Sequence, residues 1–199
     1  MSPGGSKARQ RAETRRTLIS ISRDLFAERG YHAVGLAEIA TTACLTKGAL
    51  YHHFGSKTGL FHAVVDDVAH EVSAEVAAAA DAADTPWEQL LAGCQAFLTA
   101  GAAPARGRIL LVDGPAVLGW HDWRALDEAA SGAHLAEALT GLVEQGVIEA
   151  QPVEPLTRLL SGAMNEAALW LARSDDPERD LVAVGRSLDR LLSALRVGG

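Results

Sequence analysis

The chain has 199 residues, 18 Lys and Arg against 25 Asp and Glu, 48% hydrophobic residues and two cysteines. That length allows one or two compact units and buries enough surface to need neither disulfide nor metal; wholesale disorder and a secreted disulfide scaffold are excluded. The net charge of −7 is uneven: residues 1–60 hold nine basic and four acidic side chains, net +5, so the remainder stands at −12. A positive end on an acidic body points to one part built for a polyanion and another for something else.

Met1 to Ser6, with Pro3, Gly4 and Gly5, reads as a flexible lead-in, and residues 1–10 as a basic tail. No apolar stretch follows the basic Met1–Arg16, so it is not a signal peptide. Leu18, Ile21, Leu25 and Phe26 then mark one face of a helix ending at Gly30. Leu36, Ile39, Ala40 and Ala43 repeat the spacing in a shorter helix, and Leu50 and Phe54 fall one turn apart in a third, capped by Thr46. A fourth starts after Ser56 and carries Phe61, Val64, Val65, Val68, Val72 and Val76, with Ala77–Ala83 as its surface end. Thr85-Pro86-Trp87-Glu88 is a capping box opening a fifth. Gly101–Gly107 reads as a loop, and the backbone is expected to turn or break at Asp113-Gly114-Pro115. Trp120–Gln145 is mostly helical; Leu156–Leu171 and Leu181–Leu195 define the last two helices. The prediction is an all-α chain with no membrane-spanning segment: even the charge-free run Gln89–Ala105 is too short and too weakly apolar. Cys44 and Cys94 lie in no redox or metal spacing, which suits a reduced cytoplasmic setting.

Residues 36–54 form two short helices joined by the turn Cys44-Leu45-Thr46, a helix-turn-helix whose second helix can enter a DNA major groove. With Leu50 and Phe54 facing inward, the opposite face centres on Gly48 and His52, flanked by Ala49 and Tyr51. A small residue beside a hydrogen-bonding one suits close approach to base edges. Tyr51, Thr46, Lys47 and Lys57 can bond phosphates, and Arg11, Arg15 and Arg16 can add phosphate or minor-groove contacts.

The stretch Arg15–Phe61 resembles the DNA-binding domain of the TetR family of bacterial transcription repressors. The resemblance rests on Leu25-Phe26-Ala27-Glu28-Arg29-Gly30-Tyr31, Ile39-Ala40 and Lys47-Gly48-Ala49-Leu50-Tyr51-His52-His53-Phe54-Gly55-Ser56-Lys57. It implies a homodimer on a near-palindromic operator, released when a small molecule binds the larger domain, with Thr46, Lys47, Gly48, Tyr51, His52 and Lys57 at DNA-contact positions. The implied organisation is a helix-turn-helix domain over residues 11–57 and a helical effector-binding and dimerisation body over 58–199. Three departures from the family pattern stand out. Val34-Gly35 replaces a hydroxyl pair before the second helix. Cys44 stands where glycine is usual, with strain if φ is positive. Gly59 replaces an acid, which removes a capping box from the fourth helix.

In the body, Trp87, Phe97, Trp120, Trp123, Met164 and Trp170 are candidates to line a cavity for a small apolar or aromatic effector, with His121, His134 and Asn165 as polar contacts. Aromatics and Met at helical spacing otherwise serve as plain core. His52 and His53 point about 100° apart on a helix, which disfavours a shared metal; His53 is read as flanking the core and Cys44 as a structural thiol, with no metal or cofactor expected. Broad apolar stripes on the last two helices, with Gly162, Ala163 and Ala167 permitting close approach, predict a four-helix dimer interface. Two rival readings remain. An enzyme would have to use Asp113, His121, Asp122, Glu166 and Cys94, which no catalytic motif ties together. A helical protein-binding adaptor would have lost DNA contact.

Overall fold

The computed structural model describes residues 3–198. Eleven α-helices and two π-helical turns follow one another, with no strand among the described residues beyond a single bridge between Ile148 and Arg196. α1 (Pro3–Arg29), α2 (Leu36–Thr42) and α3 (Lys47–Phe54) form a head, and α4 (Lys57–Asp81) leads from it into the body. Helix extends back to Pro3, so the described part of the expected flexible tail is helical; Met1 and Ser2 lie outside the described residues.

The head closes around Leu18, Phe26, Ile39 and Leu50 with Leu60, Phe61, Val64 and Val68 from the first half of α4. Phe26 and Phe61 are fully buried and meet edge-to-face at 5.3 Å between centroids, each worth roughly 1.5–3 kcal/mol in burial. The second half of α4 packs Val72 and Val76 against Ala100 of α5 (Pro86–Ala102). One helix thus belongs to both cores. α5 starts with the predicted capping box: Thr85 Oγ1 accepts from the Glu88 amide at 3.3 Å, and the Glu88 carboxylate accepts from the Thr85 amide at 3.1 Å.

Beyond α5 the expected loop shrinks to one extended residue, Ala103 (φ −63°, ψ 121°), before Pro104, and the expected break at Asp113-Gly114-Pro115 is absent. α6 (Pro104–Gly107), a π-helical turn (Arg108–Asp113) and α7 (Gly114–Leu118) continue as helix. Pro104 and Pro115 sit in first turns, where no amide is required. The glycines answer to packing: a Cβ on Gly101 would lie 2.8 Å from that of Ala168, and one on Gly114 2.9 Å from the Trp123 ring. α8 (Trp120–Asp127), a second π-helical turn (Glu128–Gly132), α9 (Ala133–Glu144), α10 (Val153–Leu171) and α11 (Pro177–Ser193) complete the body. Its core joins Leu90, Cys94 and Leu98 to Leu139, Leu142, Leu171 and Leu192.

Candidate functional site

α3 is pinned from beneath. Leu50 is 2% exposed, and Phe54 packs on the head core with the Arg15 guanidinium 5.4 Å from its ring centroid. Thr46 caps the helix, its Oγ1 accepting from the Ala49 amide at 3.2 Å. The opposite face then presents Thr46, Lys47, Gly48, Tyr51 and His52, all exposed, with Ala49 half-buried between them. Cys44 adopts φ +52°, the one non-glycine with positive φ among the described residues; the turn before α3 carries the anticipated strain. His53 is half-buried, and burial first, then Arg11, His52 and Arg15, lower its pKa, so it is neutral at physiological pH in a locally positive field.

Lys57 differs from its expected role as a free phosphate ligand. Its ammonium donates to the Tyr31 carbonyl at 2.6 Å and lies 4.1 Å from the Tyr31 ring centroid, and burial lowers its pKa. At Gly59 half of the cap survives, since Ser56 Oγ accepts from the Gly59 amide at 2.9 Å, and a Cβ there would fall 2.2 Å from the Phe54 carbonyl oxygen. The glycine is a steric requirement of the tight α3–α4 turn.

The body holds a cavity of about 510 Å³ between α4, α5, α9 and α10. Small side chains leave the space: Ala77 and Ala80 on α4, Gly93 on α5, Ala138 and Gly141 on α9. Phe97, Leu90, Leu135 and Met164 supply apolar wall, and Cys94, its thiol pushed up to about 12 by burial, stays protonated. Phe97 and Ser131 also border an inner space of about 30 Å³ closed by Trp123, Asp127 and Asn165.

Residues 18–64 match the model of the bacterial regulatory proteins of the tetR family, and residues 87–195 match that of a tetracyclin repressor-like C-terminal domain. The crystal structure of a TetR-family transcriptional regulator from Pectobacterium atrosepticum is 35% identical, covers 94% of this chain and 96% of its own, and superposes with a TM-score of 0.78. The chain belongs to the TetR family. The Transposon Tn10 TetC protein of Escherichia coli is 26% identical over 149 residues, 75% of each chain. RolR in complex with resorcinol shares the fold at 23% identity, with 90% of this chain and 89% of its own covered and a TM-score of 0.69. As a TetR-family member the chain is a DNA-binding transcriptional regulator, in a family of regulators rather than enzymes.

Against this TetR fold the predicted effector residues divide. Phe97, Met164 and His134 line the large cavity. Trp123 is buried and donates its indole N–H to the Leu110 carbonyl at 2.6 Å, and Asn165 is buried beside Asp127. The other four do not reach the cavity. Trp87 packs at the edge of the body core under Arg196, 5.0 Å from its ring centroid. Trp120 is 68% exposed at an outer cleft, His121 extends into solvent beside Asp122, and Trp170 is 50% exposed on the outer face of α10. Trp120, His121 and Trp170 lie on the outer sides of their helices, a phase that apolar character alone does not reveal. The Ala77–Ala83 segment, expected to be mere surface, contributes Ala77, Ala80 and Asp81 to the cavity wall; alanines and glycines on facing helices were the available signal. The residues suggested for an enzyme serve elsewhere: Asp113 accepts from the Tyr31 amide at 2.8 Å, Cys94 is buried, and Glu166 is exposed on α10.

Head and body meet at a second point besides α4. Arg108, opening the first π-helical turn, donates to the Glu28 carbonyl at 2.8 Å, and Asp113, closing it, holds the Tyr31 amide. Ile109 between them sits in the head core.

Proposed function

We propose that the chain is a one-component repressor that binds a near-palindromic operator as a homodimer and leaves it when a small apolar or aromatic molecule enters the body cavity. The division into a head ending near residue 57 and an effector-binding, dimer-forming body follows from that reading, as does a cytoplasmic setting. The single observation that carries it is the exposed α3 face of Thr46, Lys47, Gly48, Tyr51 and His52 held rigidly over a buried Leu50, in a segment matched to the family's regulatory domain. Ala49 and His52 read base edges; Thr46, Lys47 and Tyr51 fix the register on phosphates, and Lys57 acts mainly by tying α4 to Tyr31.

Dimerisation is assigned to α10 and α11. Leu159, Gly162, Ala163, Glu166 and Trp170 form one exposed stripe on α10, Val182 and Leu191 are exposed on α11, and a Cβ on Gly162 would meet nothing within 4 Å. Two such helix pairs across a two-fold axis form a four-helix bundle that buries the α10 stripe and one of the two α11 groups, which stand about 180° apart on their helix. The heads must then sit about 34–36 Å apart to engage two half-sites. Effector binding alters that separation through α4 and through the π-helical turn that grips α1. RolR's ligand, resorcinol, exemplifies the size and aromatic character such a cavity takes.

A gel shift on the DNA flanking the chain's own gene tests the function. The expected result is a complex that weakens steeply with salt and dissociates when effector is added. No binding at any ionic strength would leave the adaptor reading in its place.

A further inference from the structure

Asn165 lies on α10, 9% exposed, and its Nδ2 donates to Asp127 Oδ2 at 3.1 Å. The same carboxylate oxygen accepts from Arg124 Nη1 at 2.7 Å and Ser161 Oγ at 3.4 Å. Because the carboxylate takes the amide N–H, the amide oxygen faces the other way, and Oδ1 is the one buried side-chain N or O atom without a hydrogen-bond partner among the described residues. A buried acceptor left unpaired is costly, so a donor that reaches it gains correspondingly. Asn165 borders the 30 Å³ inner space, room for one water-sized group, which shares Phe97 and Ser131 with the 510 Å³ cavity.

The rest of the lining points the same way. Asp81 and Glu137 border the large cavity without an ion-pair partner among the described residues, and no Lys or Arg lines either space. Such walls repel a carboxylate and offer acceptors to a donor.

We infer that the effector is an uncharged apolar molecule carrying a hydroxyl, its body in the large cavity and its O–H directed past Phe97 to Asn165 Oδ1. This rests on the reading of the large cavity as the effector site. The hydroxyl end enters a space walled by Trp123 and by Leu110 and Leu111, which belong to the segment whose ends hold Glu28 of α1 and Tyr31 just beyond it, so occupancy there bears on how the head is held.

The test titrates the full-length protein with three ligands of matched body, 4-phenylbutanol, its methyl ether and 4-phenylbutyrate, by calorimetry. The alcohol is expected to bind about tenfold or more tightly than either relative. Asn165→Leu, which keeps the volume and removes the acceptor, should bring the alcohol down to the ether's affinity. An ether or carboxylate as tight as the alcohol overturns the proposal and leaves the cavity reading standing, as does a preference that survives Asn165→Leu. The wild-type series decides even if that variant does not fold. Binding of none of the three, or binding undisturbed by the cavity-filling Ala138→Trp, overturns the cavity reading and the proposal with it.

Discussion

Gly48 has room for a side chain in the free protein, since a Cβ would come no closer than 3.7 Å to Thr46 Oγ1. Gly48→Ala is therefore expected to leave the melting temperature unchanged or slightly raised, as alanine is the better helix former, while weakening operator binding, because only DNA would meet the added methyl. Equal operator affinity for wild type and variant in fluorescence anisotropy would remove Gly48 from the reading face. Tyr51 and His52 separate by another measure: Tyr51→Phe should weaken all sequences alike, whereas His52→Ala should change which operator is preferred, by about 1–3 kcal/mol at the position it reads. Gly59 behaves in the opposite manner to Gly48. With its would-be Cβ at 2.2 Å from a backbone oxygen, Gly59→Ala should cost about 1–3 kcal/mol in denaturant unfolding. Residue types made the α3 face legible, because Leu50 and Phe54 fix the phase of a short helix. They showed Gly59 as the loss of a capping box beside a surviving Ser56 cap, as the structure has it, but not its steric role, since the requirement against the Phe54 carbonyl exists only once α3 and α4 are folded together.

Among the elements, the turn between α2 and α3 carries strain at Cys44 that glycine would relieve. Cys44→Gly should raise stability by about 0.5–1 kcal/mol, the reverse of what glycine does at an ordinary position, and chemical denaturation reads the sign directly. Helix starts were readable wherever a cap is local: the Thr85 box and the Thr46 cap both form as their sequences dictate. Residues 101–115 were only partly readable: the chain does break at Ala103 before Pro104, but Gly101, Gly107, Gly114 and Pro115 signal further breaks in isolation. Their actual role is close packing against Ala168, Ala172 and Trp123 together with first-turn prolines. The two π-helical turns likewise leave no sequence signature, and one of them carries the Arg108 and Asp113 contacts to the head.

Across the whole molecule, α4 is the shared member, and its carboxylates hold the neighbouring segments. Glu71 binds Arg23 of α1 and Arg106 of α6, and Glu75 binds Arg106 at 2.7 Å. Arg23 first, with Arg106 adding and burial opposing, holds the Glu71 carboxyl below its ordinary value of 4.5. A depressed folded-state pKa means the contribution is intact above the ordinary carboxylate range and is lost as pH falls through the lowered value. The melting-temperature gap between wild type and Glu71→Gln should accordingly be present at pH 7 and narrow below pH 4.5; a gap that widens on acidification would contradict the assignment. The cavity lining and the exposed stripe of α10 were only partly legible for one reason. Apolar content shows that a residue avoids water, and only the packed helices decide whether it does so in a core, around a void or on a surface such as the α10 stripe.

The most direct measurement is anisotropy of a labelled duplex from the DNA flanking the chain's own gene, titrated with purified protein across a salt series. The account predicts a complex of two chains per site, with log affinity falling linearly against log salt at roughly −0.9 per neutralised phosphate. It also predicts a change of sequence preference with His52→Ala. A protein that ignores the duplex at low salt, or binds it without regard to His52, contradicts it.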